Sequence, residues 1–99
     1  MDFQFNTDNN IDGSQQVADS IESSLRDTLS RHTDQLTRLI VHVREETADR
    51  YTATLEARIE GQQPQAVTGT GGSVDGAAMD AGDKMQRLLK SHFGKLAAR

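Results

Sequence analysis

Cysteine is absent from this 99-residue sequence, which excludes a disulfide framework, thiolate metal ligation and thiol catalysis, and fits a reducing compartment. Tryptophan is also missing and only four aromatic residues are present, so the core of this single domain, residues 1–99, is expected to be small and its stability modest. No apolar run approaches the roughly 18 residues that a membrane-spanning helix needs. The opening Met1-Asp2-Phe3-Gln4-Phe5 lacks the basic and apolar regions of a secretory signal, so we expect a soluble, cytoplasmic chain with no membrane partner. Catalytic patterns are missing too. His32 and His42 have no carboxylate at metal-ligand spacing, and the serines cluster at helix caps and exposed helical positions, away from any histidine and aspartate that would complete a nucleophilic trio. Gly69-Thr70-Gly71-Gly72-Ser73 has no following Lys-Ser/Thr and reads as a flexible turn, not a phosphate loop. We therefore expect no enzyme, metal, cofactor or small-molecule substrate; the oligomeric state is open.

Positive charge is scarce over most of the chain and concentrated at its end. Residues 1–83 carry all fifteen Asp and Glu against six Arg, while Lys84, Arg87, Lys90, Lys95 and Arg99 follow with no acid, giving a local balance of −9 before and +5 after within a net −4. Such a split points to an anionic partner met locally, because the field of the whole molecule would repel phosphate at long range. In the same stretch Ala78, Ala81, Met85, Leu88, Leu89, Phe93 and Leu96 fall on one side of a helical wheel, which predicts an amphipathic last helix starting near Asp75. Lys84, Arg87 and Lys95 lie within an arc of about 80° beside that stripe and Lys90 on the opposite flank. His92 falls within the stripe and is expected to be satisfied in the core.

Taken from the start, Phe3 and Phe5 alternate with polar neighbours as in a half-buried strand, and Thr7-Asp8-Asn9-Asn10 stops it. Asp12 or Ser14 can cap a helix over about 14–31, whose apolar side collects Val17, Ala18, Ile21, Leu25 and Leu29. In Leu36–Glu46, Leu39, Val41 and Val43 face one way and Arg38, Ile40, His42 and Arg44 the other. Tyr51, Ala53, Leu55, Ala57 and Ile59 alternate with Thr52, Thr54, Glu56, Arg58 and Glu60 in the clearest strand of the chain. Gln65–Thr70 reads as a fourth strand, at an edge or bulged, among surrounding glycines. The order β-α-β-β-β-α makes strands one and two parallel through a crossover and strands two to four an antiparallel meander. The expected fold class is thus α+β: a four-stranded mixed sheet with two helices packed on one face. Arg38, Arg44 and Arg58 would lie on the open face, with Glu45, Glu56 and Glu60 near enough to pair with them.

That order, together with Asn9-Asn10-Ile11 before the cap at Ser14, the strand Leu36-Thr37-Arg38-Leu39-Ile40-Val41-His42-Val43, and Asp75-Gly76-Ala77-Ala78-Met79-Asp80 followed by Asp83-Lys84-Met85-Gln86-Arg87-Leu88-Leu89-Lys90-Ser91-His92, resembles the ribosome hibernation factor family. With the sequence ending at Arg99, the likeness is to its short form, the hibernation-promoting factor and ribosome-associated inhibitor. The resemblance implies binding to ribosomal RNA of the small subunit in the channel used by mRNA and tRNA, a stress-related repression of translation that requires no chemistry. Lys84, Arg87, Lys90 and Lys95, helped by Arg38 and Arg44, are the expected RNA contacts. A second reading, drawn from the net −4 and the acidic first helix, is a protein-interaction module of the same fold that meets its partner through the edge of strand four or the acidic helix face.

Overall fold

The computed structural model describes residues 1–8, 11 and 14–97, without the side chains of Leu96 and Ala97; Asn9, Asn10, the alternative cap Asp12, the stripe position Leu96 and the cation Arg99 lie outside the described residues. Alternation in the sequence becomes a sheet of β1 (Asp2–Thr7), β2 (Leu36–Thr47), β3 (Arg50–Ile59) and β4 (Gln65–Gly71) in the order β1-β2-β3-β4. β1 runs parallel to β2, with Phe3 beside Leu39 and Phe5 beside Val41, and the remaining pairs are antiparallel. Leu39, Val41, Val43, Ala53, Leu55 and Ala57 are completely buried on one face. Their side chains meet those of α1 (Gln15–Thr28) and α2 (Val74–Ala97) in one hydrophobic cluster. Full burial of each large aliphatic side chain there stabilises by roughly 1.5–3 kcal/mol, and this clustering holds the two layers together.

Local chemistry sets the boundaries. Ser14 caps α1, its Oγ accepting the Val17 N–H at 3.3 Å. The helix stops at Thr28, short of the expected 31, with Leu29 as its C-cap, still donating to the Leu25 carbonyl; the chain then passes through a 3₁₀ turn, Thr33–Gln35, which alternation and periodicity did not reveal. A register shift between Leu36 and Arg38 rotates Leu36 into the core, opposite Ile59, although simple alternation places it with Arg38. Arg26 links the first two elements: it pairs with Glu22 at 2.7 Å and donates to the Met1 carbonyl at 3.0 Å.

The fourth strand departs most from expectation. Gly69 and Gly71 lie within β4, not in a flexible turn, and its pairing with β3 shows no register shift. They lack side chains because α2 lies directly against them: a Cβ on Gly69 would stand 2.6 Å from the Ala77 carbonyl oxygen, and one on Gly71 2.6 Å from the Ala77 nitrogen. Ala77, outside the expected stripe, is therefore fully buried beside Ala78 and Ala81. Gly82 admits α1 in the same way, since a Cβ there would come within 2.7 Å of Leu25 Cδ2. Ser73 starts α2, its Oγ accepting the Gly76 N–H at 3.0 Å.

Candidate nucleic-acid interface

Close seating of α2 on β4 brings the first half of the helix to the edge of the sheet. There the Thr70 N–H donates to Asp80 Oδ2 at 2.9 Å, Lys84 Nζ donates to the Thr68 carbonyl at 3.1 Å, and Lys84 and Asp80 themselves pair at 3.0 Å. Two outward-facing backbone groups of an edge strand are thereby satisfied by one i,i+4 pair. The Asp80 carboxyl is held below the usual aspartate range, first by the Thr70 N–H and then by the Lys84 hydrogen bond; desolvation opposes them, and the charges of Lys84 and Arg87 add smaller lowering effects. Lys84, expected among the free cations, is thus engaged in holding β4. Asp80 was not singled out from the sequence, although its four-residue spacing from Lys84 is a readable signal.

Beyond this clamp the helix is different. Arg87, Lys90 and Lys95 make no ion pair among the described residues, and together with Ser91 and Gly94 they line an open groove of about 480 Å³. Gly94 makes the depression, since a Cβ there would meet nothing within 4 Å. Lys90, expected on the far flank, shares this groove with Arg87, so the cationic strip runs Arg87-Lys90-Lys95 instead of Lys84-Arg87-Lys95. The arrangement can neutralise phosphates in a row, since it offers three charges with no carboxylate in the lining.

Arg38 and Arg44 stand apart from that groove. They lie on the sheet face opposite the helices, six residues apart on β2, or about 20 Å at strand spacing. Arg38 pairs with Asp2 at 3.7 Å and Arg44 with Glu46, in place of Glu45, at 3.2 Å, while Arg58 meets Glu56 at 3.6 Å as expected. Exposed pairs of this kind contribute about 0–1 kcal/mol, so a phosphate can displace the carboxylate, but each arginine would act singly. His42 bonds Asp8 at 3.1 Å on the same face.

The histidines at the other end of the domain have structural partners. His92 is half-buried at the rim, a correction to its expected place in the core: Leu89 is the last buried side chain among the described residues of α2, and one turn further the ring meets Gln62 Oε1 of the β3–β4 turn. Its neighbour Phe93 stacks on His32 with centroids 5.1 Å apart. Burial, then the charge of Arg31, lowers the His32 pKa. No group of three metal-binding side chains occurs among the described residues, and no described helix is long and apolar enough to cross a membrane.

A ribosomal subunit interface protein from Coxiella burnetii superposes on this chain with a TM-score of 0.81 over 95% of this chain and 99% of its own, at 11% sequence identity. The Protein Y N-terminal domain of Thermus thermophilus does so with a TM-score of 0.77 over 93% and 99%, at 17% identity. The chain has the fold of these two proteins. No family model matches the sequence, and neither does any curated protein. The likeness to these two structures is therefore carried by backbone geometry: it covers the sheet and both helices and leaves the surface residues to be read from this chain alone.

Proposed function

We propose that this chain is a cytoplasmic, non-enzymatic, ribosome-associated factor of the hibernation family that binds small-subunit ribosomal RNA and represses translation by occupying the mRNA and tRNA channel. The observation that carries the proposal is the uncompensated groove Arg87-Lys90-Lys95 on a fold otherwise seen in a ribosomal subunit interface protein. Lys84 contributes at the end of this strip while remaining bound to β4, and Arg38 and Arg44 form a secondary contact on the other face. Recognition through such groups rests on backbone and shape.

Co-sedimentation of the purified chain with small ribosomal subunits tests this. Binding at moderate salt should fall steeply as salt rises, with a logarithmic slope of about −2 to −3 for three neutralised phosphates. Charge reversal at Arg87 and Lys95 together should release the protein, whereas reversal at Arg38 should weaken it far less. No association even at low salt overturns the reading. The rival, a protein-interaction module, would need the edge of β4; the clamp from Asp80 and Lys84 over Thr70 and Thr68 argues for the RNA reading over it. A partner retained from nuclease-treated lysate, with no binding to subunits, would reverse that preference.

A further inference from the structure

The cationic groove continues past Lys95 into a second concavity of about 280 Å³, lined by Gln65, Leu88, Ser91, His92 and Lys95. Ser91 and Lys95 belong to both, so the two are lobes of one depression on the flank of α2. Their chemistry differs. The first lobe presents three cations; the second presents the half-buried Leu88, an imidazole, an amide and a single cation.

The imidazole is held in place. An amide oxygen can only accept, so His92 Nε2 carries the proton shared with Gln62 Oε1, and the ring stands edge-on to Phe93 at 5.3 Å and 71°. Phe93 is itself stacked on His32, which anchors this ring group to the connection between α1 and β2. Gln65 uses one amide N–H on the Gln63 carbonyl at 3.4 Å, and its side-chain oxygen has no partner among the described residues. A fixed flat ring beside an aliphatic floor, with an amide at the edge and a phosphate-binding strip alongside, matches the parts of an unpaired nucleotide.

We propose that the second lobe seats one unpaired nucleobase, packed on His92 and Leu88 and hydrogen-bonded by Gln65, while Lys95 and the first lobe hold the flanking phosphates. The preferred ligand of the groove is accordingly a single-stranded RNA segment with a splayed base, since a duplex keeps its bases stacked inside. This rests on the RNA-binding reading above and specifies what that site selects.

Fluorescence anisotropy with the full chain tests it, using a labelled unstructured RNA decamer, a fully abasic ribose-phosphate decamer and a duplex of equal phosphate count. The decamer with bases should bind about five- to tenfold more tightly than the other two. His92→Ala should erase that advantage with the salt slope unchanged, His92→Phe should retain it, and Lys90→Ala should weaken all three ligands alike and reduce the slope by about one. Equal affinity of the wild-type chain for the three ligands overturns the base seat and leaves phosphate binding standing, a result that needs no variant to fold. Preference surviving His92→Ala in a chain of unchanged thermal stability also overturns it. If none of the three binds and subunits are not bound either, the RNA reading falls together with the base seat.

Discussion

Replacing Gly69 and Gly94 by alanine should move stability in opposite directions, although the two substitutions are chemically the same. At Gly69 the new methyl would stand 2.6 Å from the Ala77 carbonyl oxygen and 2.7 Å from Ala81 Cα, inside the 3.0 Å that Cβ atoms keep. Both obstacles are α2 backbone, which can yield only by lifting the helix off β4, and lifting it also stretches the Asp80 and Lys84 contacts. Overpacking typically costs about 1–3 kcal/mol, and a backbone obstacle places this case at the upper end, about 3 kcal/mol. For a domain of this size that corresponds to a fall in melting temperature of roughly 12–24 °C. At Gly94 no heavy atom lies within 4 Å, and the residue sits inside α2, so alanine should gain about 0.5–1 kcal/mol from reduced backbone freedom in the unfolded chain and raise the melting temperature by roughly 2–8 °C. Thermal unfolding followed by circular dichroism, repeated in urea, measures both. A neutral Gly69→Ala would refute the close seating of α2 on β4, and with it the account of why this strand is rich in glycine.

The same Gly94→Ala variant fills the floor of the cationic groove, so co-sedimentation with small subunits should show weaker binding from a more stable protein; unchanged binding would mean that the groove is not the contact. Ser14→Ala removes the acceptor of the Val17 N–H and should lower stability by about 1 kcal/mol in a chemical denaturation series. Asp80 has a carboxyl pKa lowered on folding, so its contribution is complete above the ordinary aspartate value near 4 and is lost as pH falls through the lower folded value. The stability difference between wild type and Asp80→Asn should therefore shrink as pH falls from about 4 through that lower value. A gap constant across that range would show that the charge on Asp80 is not what holds Thr70 and Lys84.

Strand and helix placement could be read from the sequence wherever one period dominates. Leu39-Val41-Val43 and Ala53-Leu55-Ala57 alternate without exception, and each is fully buried on the face predicted for it. β4 is hard to read because its inward residues include Val67, Gly69 and Gly71: the surface the two glycines meet is not a side-chain layer but the backbone of α2, and glycine at a backbone contact leaves no hydrophobic pattern. The early end of α1 leaves no hydrophobic signal, since Leu29, its C-cap, keeps the helical spacing of Ile21 and Leu25. At the proposed interface the charge count points to the C-terminal half of α2 but does not tell a free cation from an engaged one. Lys84 and Arg87 look equivalent in sequence; the first has Asp80 four residues before it and a strand carbonyl within reach, while the second has open solvent around it. Lys90 joined the groove only because residue 94 has no side chain to separate it from Lys95.

Net charge is then a poor guide to what this surface can do. With a screening length of about 8 Å at physiological ionic strength, a bound phosphate responds to the groups lining its groove far more than to carboxylates across the domain. Neither lobe beside α2 has a carboxylate in its lining. Distant acids still matter, in the opposite sense. The net −4 opposes the long-range attraction that makes strongly basic domains coat any polyanion, so three local cations must be supplemented by fit. On the proposed reading, a weak electrostatic contact on an anionic body favours an RNA site of matching shape over RNA in general, and the proposed seat beside His92 and Leu88 would supply that selection.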